Sequence, residues 1–204
     1  MPDLGFIHRF IPATQDGLPP LLLLHGTGGD ENDLVPLGEQ LLPGAALLSP
    51  RGKVSENGMP RFFRRLAEGV FDLEDLKVRT AELASFVAAA RTAYGLAAPV
   101  AVGFSNGANI AASLLLTRPD VLSGAVLLRA MLPFEPQTLP DLKGKPVLLL
   151  SGSNDPMMPA ASRDRLVAIL QAAGAELVYK ALPAGHNLTQ SDLIMAANWL
   201  EQLK

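Results

Sequence analysis

Ser105 lies in Gly103-Phe104-Ser105-Asn106-Gly107, a G-x-S-x-G pattern at the join of two different runs. Before it, Pro99-Val100-Ala101-Val102 is a short apolar run with β-branched residues and reads as a buried strand. After it, Asn109-Ile110-Ala111-Ala112-Ser113-Leu114 and the leucines beyond are good helix formers. A strand that turns this abruptly into a helix holds its corner residue in a strained conformation. The serine hydroxyl then stands clear of the backbone, and flanking glycines leave room for helix to meet strand. A helix N-terminus also favours developing negative charge. The chemistry this suggests is nucleophilic attack by Ser105; the plainer alternative is a glycine-rich corner whose serine only caps the helix.

A serine hydroxyl needs a general base, most often histidine, and the base needs a carboxylate to orient it. Three histidines are available. His8 lies in an expected edge strand with no chemistry-bearing loop beside it. His25 ends an apolar run just before a glycine loop. His186 sits in Pro183-Ala184-Gly185-His186-Asn187, after the last expected strand, where it is free to reach across the sheet edge. Position favours His186. Asp155, in Ser151-Gly152-Ser153-Asn154-Asp155-Pro156, follows another strand; an Asx turn before the proline is its structural alternative. The order Ser105, Asp155, His186 matches hydrolases built on an alternating strand–helix sheet and differs from that of chymotrypsin or subtilisin.

The loop His25-Gly26-Thr27-Gly28-Gly29 lacks the Gly-Lys-Ser/Thr of a phosphate loop and the G-x-G-x-x-G of a dinucleotide site. It suits an oxyanion hole, with the backbone N–H groups of Thr27 and Asn106 as donors and His25 as a buried supporting residue. Asp30, Glu31 and Asp33 follow, read as first-turn acids of a helix reaching about Leu42 and not as metal ligands. Neither metal nor cofactor is needed for this chemistry. The one basic, aromatic patch is Met59-Pro60-Arg61-Phe62-Phe63-Arg64-Arg65. Its phenylalanines are either core residues under a surface loop or, with Met157 and Met158, walls of a substrate pocket.

The positioning elements alternate along the chain. Expected strands cover 6–11 (an edge strand limited by Pro12), 20–25, 45–49, 99–102, 124–128, 146–151 and 176–182. Expected helices cover about 30–42, 73–93, the run after Ser105, 160–173 and 190–203, and the segment 50–70 reads as irregular. Continuous apolar strands such as Leu21-Leu22-Leu23-Leu24 imply burial on both faces. The expected fold class is therefore α/β: a mostly parallel central sheet with helices on both faces, forming one domain over 1–204 with no separate lid.

Bulk properties narrow the classes. With 49% hydrophobic and 18% charged residues, the composition is that of a buried-sheet protein, not of a disordered one. A formal charge of −3 and the lack of a binding motif argue against a nucleic-acid partner. There is no cysteine, so disulfides, thiolate metal sites and a cysteine nucleophile are all excluded. No signal peptide and no membrane-length apolar stretch are visible, so the expectation is a soluble, cytoplasmic protein. The sequence leaves homodimer formation open.

HGTGGDENDL, GFSNGANIA, SGSNDPMMP and AGHN together resemble the α/β-hydrolase superfamily, within it the phospholipase/carboxylesterase family, from about residue 19 to the end. The glycine loop is closer to small bacterial carboxylesterases than to acyl-protein thioesterases. The resemblance implies an α/β-hydrolase fold and a serine carboxylesterase, with Ser105, Asp155 and His186 as triad and Thr27 and Asn106 as oxyanion donors. The expected partner is a small ester with a short acyl chain or an aromatic group. The alternatives are an acyl-thioesterase or lysophospholipase on the same triad, and a binding protein that kept the fold without turnover.

Overall fold

In the computed structural model, which describes residues 2–203, the apolar runs become strands whose successive side chains serve two different cores. The strand β1 (His8–Ile11) is followed by β2 (Leu21–Leu24), α1 (Val35–Leu41) and β3 (Leu47–Pro50). Two short hairpins come next, β4 (Val54–Glu56) with β5 (Met59–Arg61) and β6 (Arg65–Ala67) with β7 (Val70–Phe71). The remainder is α2 (Leu73–Tyr94), β8 (Val100–Phe104), α3 (Asn106–Thr117), β9 (Gly124–Leu128), β10 (Pro146–Gly152), α4 (Ala160–Ala172), β11 (Glu176–Leu182) and α5 (Gln190–Glu201).

The main sheet has seven strands in the order β1-β3-β2-β8-β9-β10-β11, parallel except for β1, which runs antiparallel to β3 at one edge. Leu22, Leu24, Ala101, Leu127 and Leu149 face a core shared with Leu83 and Phe86 of α2, Ile110 and Leu114 of α3, and Leu166 and Leu170 of α4. Their neighbours Leu21, Leu23, Val102, Val126 and Leu148 face a second core with Leu41 of α1 and Ala196, Trp199 and Leu200 of α5. The period-2 alternation of a strand therefore splits each all-apolar run between two helical layers. This is the α/β-hydrolase architecture, with helices on both faces. No helix among the described residues is long and apolar enough to cross a membrane.

Two expectations are corrected. The first helix starts at Val35 and has no acidic residue in its first turn. Asp30 instead accepts the Asn32 N–H at 2.8 Å in an Asx turn, and Glu31 pairs with Arg51. These carboxylates shape the loop before the helix and do not serve its dipole. The segment 50–70 is not irregular, because it holds both hairpins. Asn57 and Gly58 form the first turn, both with positive φ (53° and 82°), as a two-residue hairpin loop requires. By contrast, α2 follows its sequence signals at both ends. The Asp72 side chain caps the Asp75 N–H, and Gly95 closes the helix in the left-handed region at φ 66°.

Candidate active site

The sheet order reverses between β2 and β8, where ligands of open α/β sheets bind beyond the carboxyl ends of the strands. Thr27 follows β2, Ser105 follows β8, Asp155 follows β10 and His186 follows β11, all at that same edge.

Ser105 sits at φ 51° and ψ −113° between strand and helix, and its hydroxyl makes no capping hydrogen bond to α3. The two glycines of the corner are sterically required. A Cβ on Gly103 would lie 2.6 Å from the Gly107 carbonyl oxygen, and one on Gly107 would land on the Leu24 carbonyl. The freed hydroxyl donates to His186 Nε2 at 2.9 Å, and His186 Nδ1–H donates to Asp155 Oδ2 at 2.8 Å. The Asp155 carboxylate is fully buried while the imidazole keeps 18% of its exposure. The other Asp155 oxygen, Oδ1, accepts the Met157 N–H at 2.9 Å, so both sides of the carboxylate are fixed.

The N–H groups of Thr27 and Asn106 have no hydrogen-bond partner among the described residues. Their loop is pinned from the hairpin side: the Gly28 N–H donates to the Pro60 carbonyl at 3.0 Å, and Arg61 Nη1 donates to Thr27 Oγ1 at 2.8 Å. The Asn106 side chain faces away from this role and accepts the Phe62 N–H at 2.7 Å through Oδ1. The arrangement leaves two free donors beside a serine already bonded to an imidazole.

His25 is buried and accepts the Gly52 N–H at Nε2 (2.9 Å), so the proton is on Nδ1, which donates to the Gly26 carbonyl at 2.6 Å. Burial holds its pKa below the ordinary histidine value. It braces the glycine loop against the segment after β3 and is remote from Ser105 in the bonding pattern. His8 bonds the Tyr94 hydroxyl at 2.7 Å, on the far side of the core.

A cavity of about 50 Å³ lies over Ser105, and its lining includes Arg61, Arg65, Phe71, Met131, Met157 and Met158. Met157 and Met158 are among its lining residues, whereas Phe62 and Phe63, also read as candidate pocket walls, are not. Both phenylalanines are buried in the core, with the Phe62 ring 4.6 Å from that of His25 and the Phe63 ring edge-on to Phe71. The energetic reason is area. Fully burying a phenylalanine is worth about 1.5–3 kcal/mol, which a solvent-open pocket wall would largely forfeit. Arg61 and Arg65 of the same stretch line the cavity instead.

Sequence reasoning missed Arg129 and Asp192, both fully buried and paired at 2.7 Å beneath the His186 loop. Signals for both exist. An arginine directly after an all-apolar strand needs a buried partner, and Thr189-Gln190-Ser191-Asp192 is a capping-box pattern that the structure forms. Burial alone would raise the Asp192 carboxyl, but hydrogen bonds from Arg129 and Thr189 together outweigh it and hold the pKa below the ordinary aspartate range.

Comparison with known proteins gives consistent relatives. The phospholipase/carboxylesterase family profile matches residues 80–204. MhqD of Bacillus subtilis (strain 168) is 46% identical over 197 residues, covering 96% of this chain and 98% of its own length. Among solved structures, a Bacillus cereus carboxylesterase superposes with a TM-score of 0.96 at 45% identity, covering 99% of this chain and 96% of that one. A Mesorhizobium loti carboxylesterase superposes at 0.92 with 32% identity, covering 98% of this chain and 97% of that one.

Proposed function

The chain belongs to the phospholipase/carboxylesterase family of α/β-hydrolases and is an ester hydrolase; we propose that it cleaves short-acyl or aromatic carboxylic esters through an acyl-enzyme on Ser105. The observation that carries this reading is the unbroken hydrogen-bond line from Ser105 Oγ through His186 to the buried Asp155.

In this reading, Ser105 Oγ attacks the ester carbonyl as His186 Nε2 takes its proton. Asp155 holds the imidazole with Nδ1 protonated and stabilises the imidazolium that forms. The carbonyl oxygen, now an oxyanion, accepts the unpartnered N–H groups of Thr27 and Asn106. One such donor contributes roughly 2.7–4 kcal/mol to the transition state. His186 then returns its proton to the departing alcohol. In the second half, water adds to the acyl-enzyme with His186 again as base, releasing the acid and restoring Ser105. The small cavity of about 50 Å³ and its methionine walls favour compact acyl groups.

The test is Ser105→Ala. Hydrolysis of p-nitrophenyl acetate should fall at least 10³-fold, labelling by a fluorophosphonate probe should vanish, and the melting temperature should stay near that of the parent. A folded variant that retained more than a few per cent of activity would remove Ser105 from the reaction.

A further inference from the structure

We propose that Arg129 is a positioning residue for the base, clamping the loop that carries His186; this rests on the reading of His186 as the general base. Arg129 follows β9, and its side chain runs beneath the loop after β11 with no exposure to solvent. All five of its guanidinium N–H groups are used. Nε donates to the Gly185 carbonyl at 3.0 Å and Nη2 to the Asn187 carbonyl at 3.1 Å, the two carbonyls on either side of His186. Nη1 and Nη2 also donate to the two oxygens of Asp192 at 2.7 and 2.8 Å, and Nη1 reaches the Leu150 carbonyl at 3.4 Å.

The rest of the loop explains why this matters. The Ala184 carbonyl is held by the Asn154 N–H at 3.0 Å, and from Thr189 onward the chain enters the cap of α5. Between those points, the backbone groups of residues 185–188 make no hydrogen bond among the described residues except those to Arg129. Without the guanidinium, the carbonyls on either side of His186 lose their donor and His186 is tethered only by its own side-chain bonds to Ser105 and Asp155. The bond to Ser105 must break and re-form during turnover, which leaves the single bond to Asp155 to keep the ring in register.

The ion pair aims the fork. Asp192 Oδ2 accepts from the Thr189 N–H and hydroxyl, both at 2.8 Å, so the carboxylate is fixed to the start of α5 before it meets Arg129. One end of the clamp is thus a helix terminus and the other a sheet strand. A lysine cannot replace the fork, since its single ammonium cannot serve two carbonyls and a bidentate carboxylate together. A buried pair of this kind is a weak source of net stability, which leaves geometry as the property it supplies.

Two variants test the proposal. Arg129→Lys keeps a charge beside Asp192 but loses the fork; the double variant Arg129→Met with Asp192→Leu removes both charges and leaves none unpaired. Each is titrated with a fluorophosphonate probe, so that kcat is expressed per reactive serine. The expected result is a fall in kcat per titrated site of tenfold or more with KM within about twofold, in whichever variants fold. A purely structural role would lower the melting temperature and the number of titratable sites while leaving kcat per site at the parental value, and that result overturns the proposal. Failure of both variants to fold assigns the pair to stability and overturns it too. Ser105→Ala run in parallel separates the levels. If that variant stays active, the reading of the site is wrong; if it is inactive while both Arg129 variants turn over normally, only the clamp is wrong.

Discussion

Asp155→Asn tests the logic of the site through one atom. The exchange conserves volume, and the structure dictates how the amide sits. Oδ1 of Asp155 accepts the Met157 N–H at 2.9 Å, so the asparagine oxygen stays on that side and its NH₂ faces His186 Nδ1. A donor at that point requires Nδ1 to be the acceptor, which moves the imidazole proton to Nε2. His186 can then only donate to Ser105 and cannot take its proton. Flipping the amide would restore the tautomer but would set NH₂ against the Met157 N–H, a half-buried mismatch of about 1–3 kcal/mol. That mismatch costs roughly 5- to 150-fold in the population of competent sites. The remaining loss comes from the missing negative charge, which no flip replaces. Together they should lower kcat by about 10⁴, or 5–6 kcal/mol, as this exchange does in serine proteases. The assay is p-nitrophenyl acetate hydrolysis by the purified variant, with circular-dichroism melting to show it folded. A kcat within tenfold of the parent in a protein that melts normally would refute the tautomer argument and leave Asp155 as a turn residue.

Two further outcomes follow from the same geometry. His25→Ala should cost about 1–3 kcal/mol of stability, because the buried Gly52 N–H loses its acceptor, while kcat stays within tenfold of the parent. The parent should also lose stability as pH falls below about 6.5, since the unfolded chain protonates His25 there and the folded one resists; urea midpoints at pH 7 and pH 5 should show that slope reduced in His25→Ala. For acyl length, kcat/KM on p-nitrophenyl esters should stop rising within the first few added methylenes, since each contributes only while the cavity receives it. A steady climb to palmitoyl esters below their micelle-forming concentrations would mean an extended groove and favour a long-acyl substrate.

The ease of reading this chain varied with the kind of physics involved. The buried strands were legible because parallel strands covered on both faces have no polar side, and β9 falls on its expected residues; β11, an edge strand without a buried residue, was legible instead from its alternation. The elbow was legible because its glycines answer hard steric demands at Gly103 and Gly107. The start of α1 was not. A run of acids before an apolar stretch fits a helix dipole and an Asx turn equally well, and the choice depends on Arg51, a partner 20 residues on. The 50–70 segment carried an Asn57-Gly58 signal for a hairpin, masked by its short strands. In Arg61-Phe62-Phe63-Arg64-Arg65, composition left open which residues turn inward, and the core took the phenylalanines. Arg129 and Asp192 each had a local signal, but their meeting spans 63 residues and depends on the fold itself.

Strain falls at the same edge as the chemistry. Among the described residues, three that are not glycine have positive φ: Asn57, in a turn that suits it, and Ser105 and Arg129 at 51° and 59°. The last two directly follow β8 and β9, neighbouring parallel strands. Such conformations cost roughly 1–3 kcal/mol each unless the surroundings hold them. Here the sheet does so by extending its ladder one step beyond the strands. The Ser105 N–H donates to the Leu128 carbonyl at 2.9 Å, the Arg129 N–H to the Leu150 carbonyl at 2.8 Å, and the Ser153 N–H, after β10, to the Leu182 carbonyl at 2.7 Å. Each strained residue is therefore gripped by the next strand at the point where its own chain leaves the sheet. The same device has two consequences. After β8 it raises a hydroxyl toward His186; after β9 it turns a guanidinium beneath the loop that carries His186. Ser105 and Arg129 are set by adjacent strands of one sheet, so their relative placement depends on strand register and little on loop flexibility.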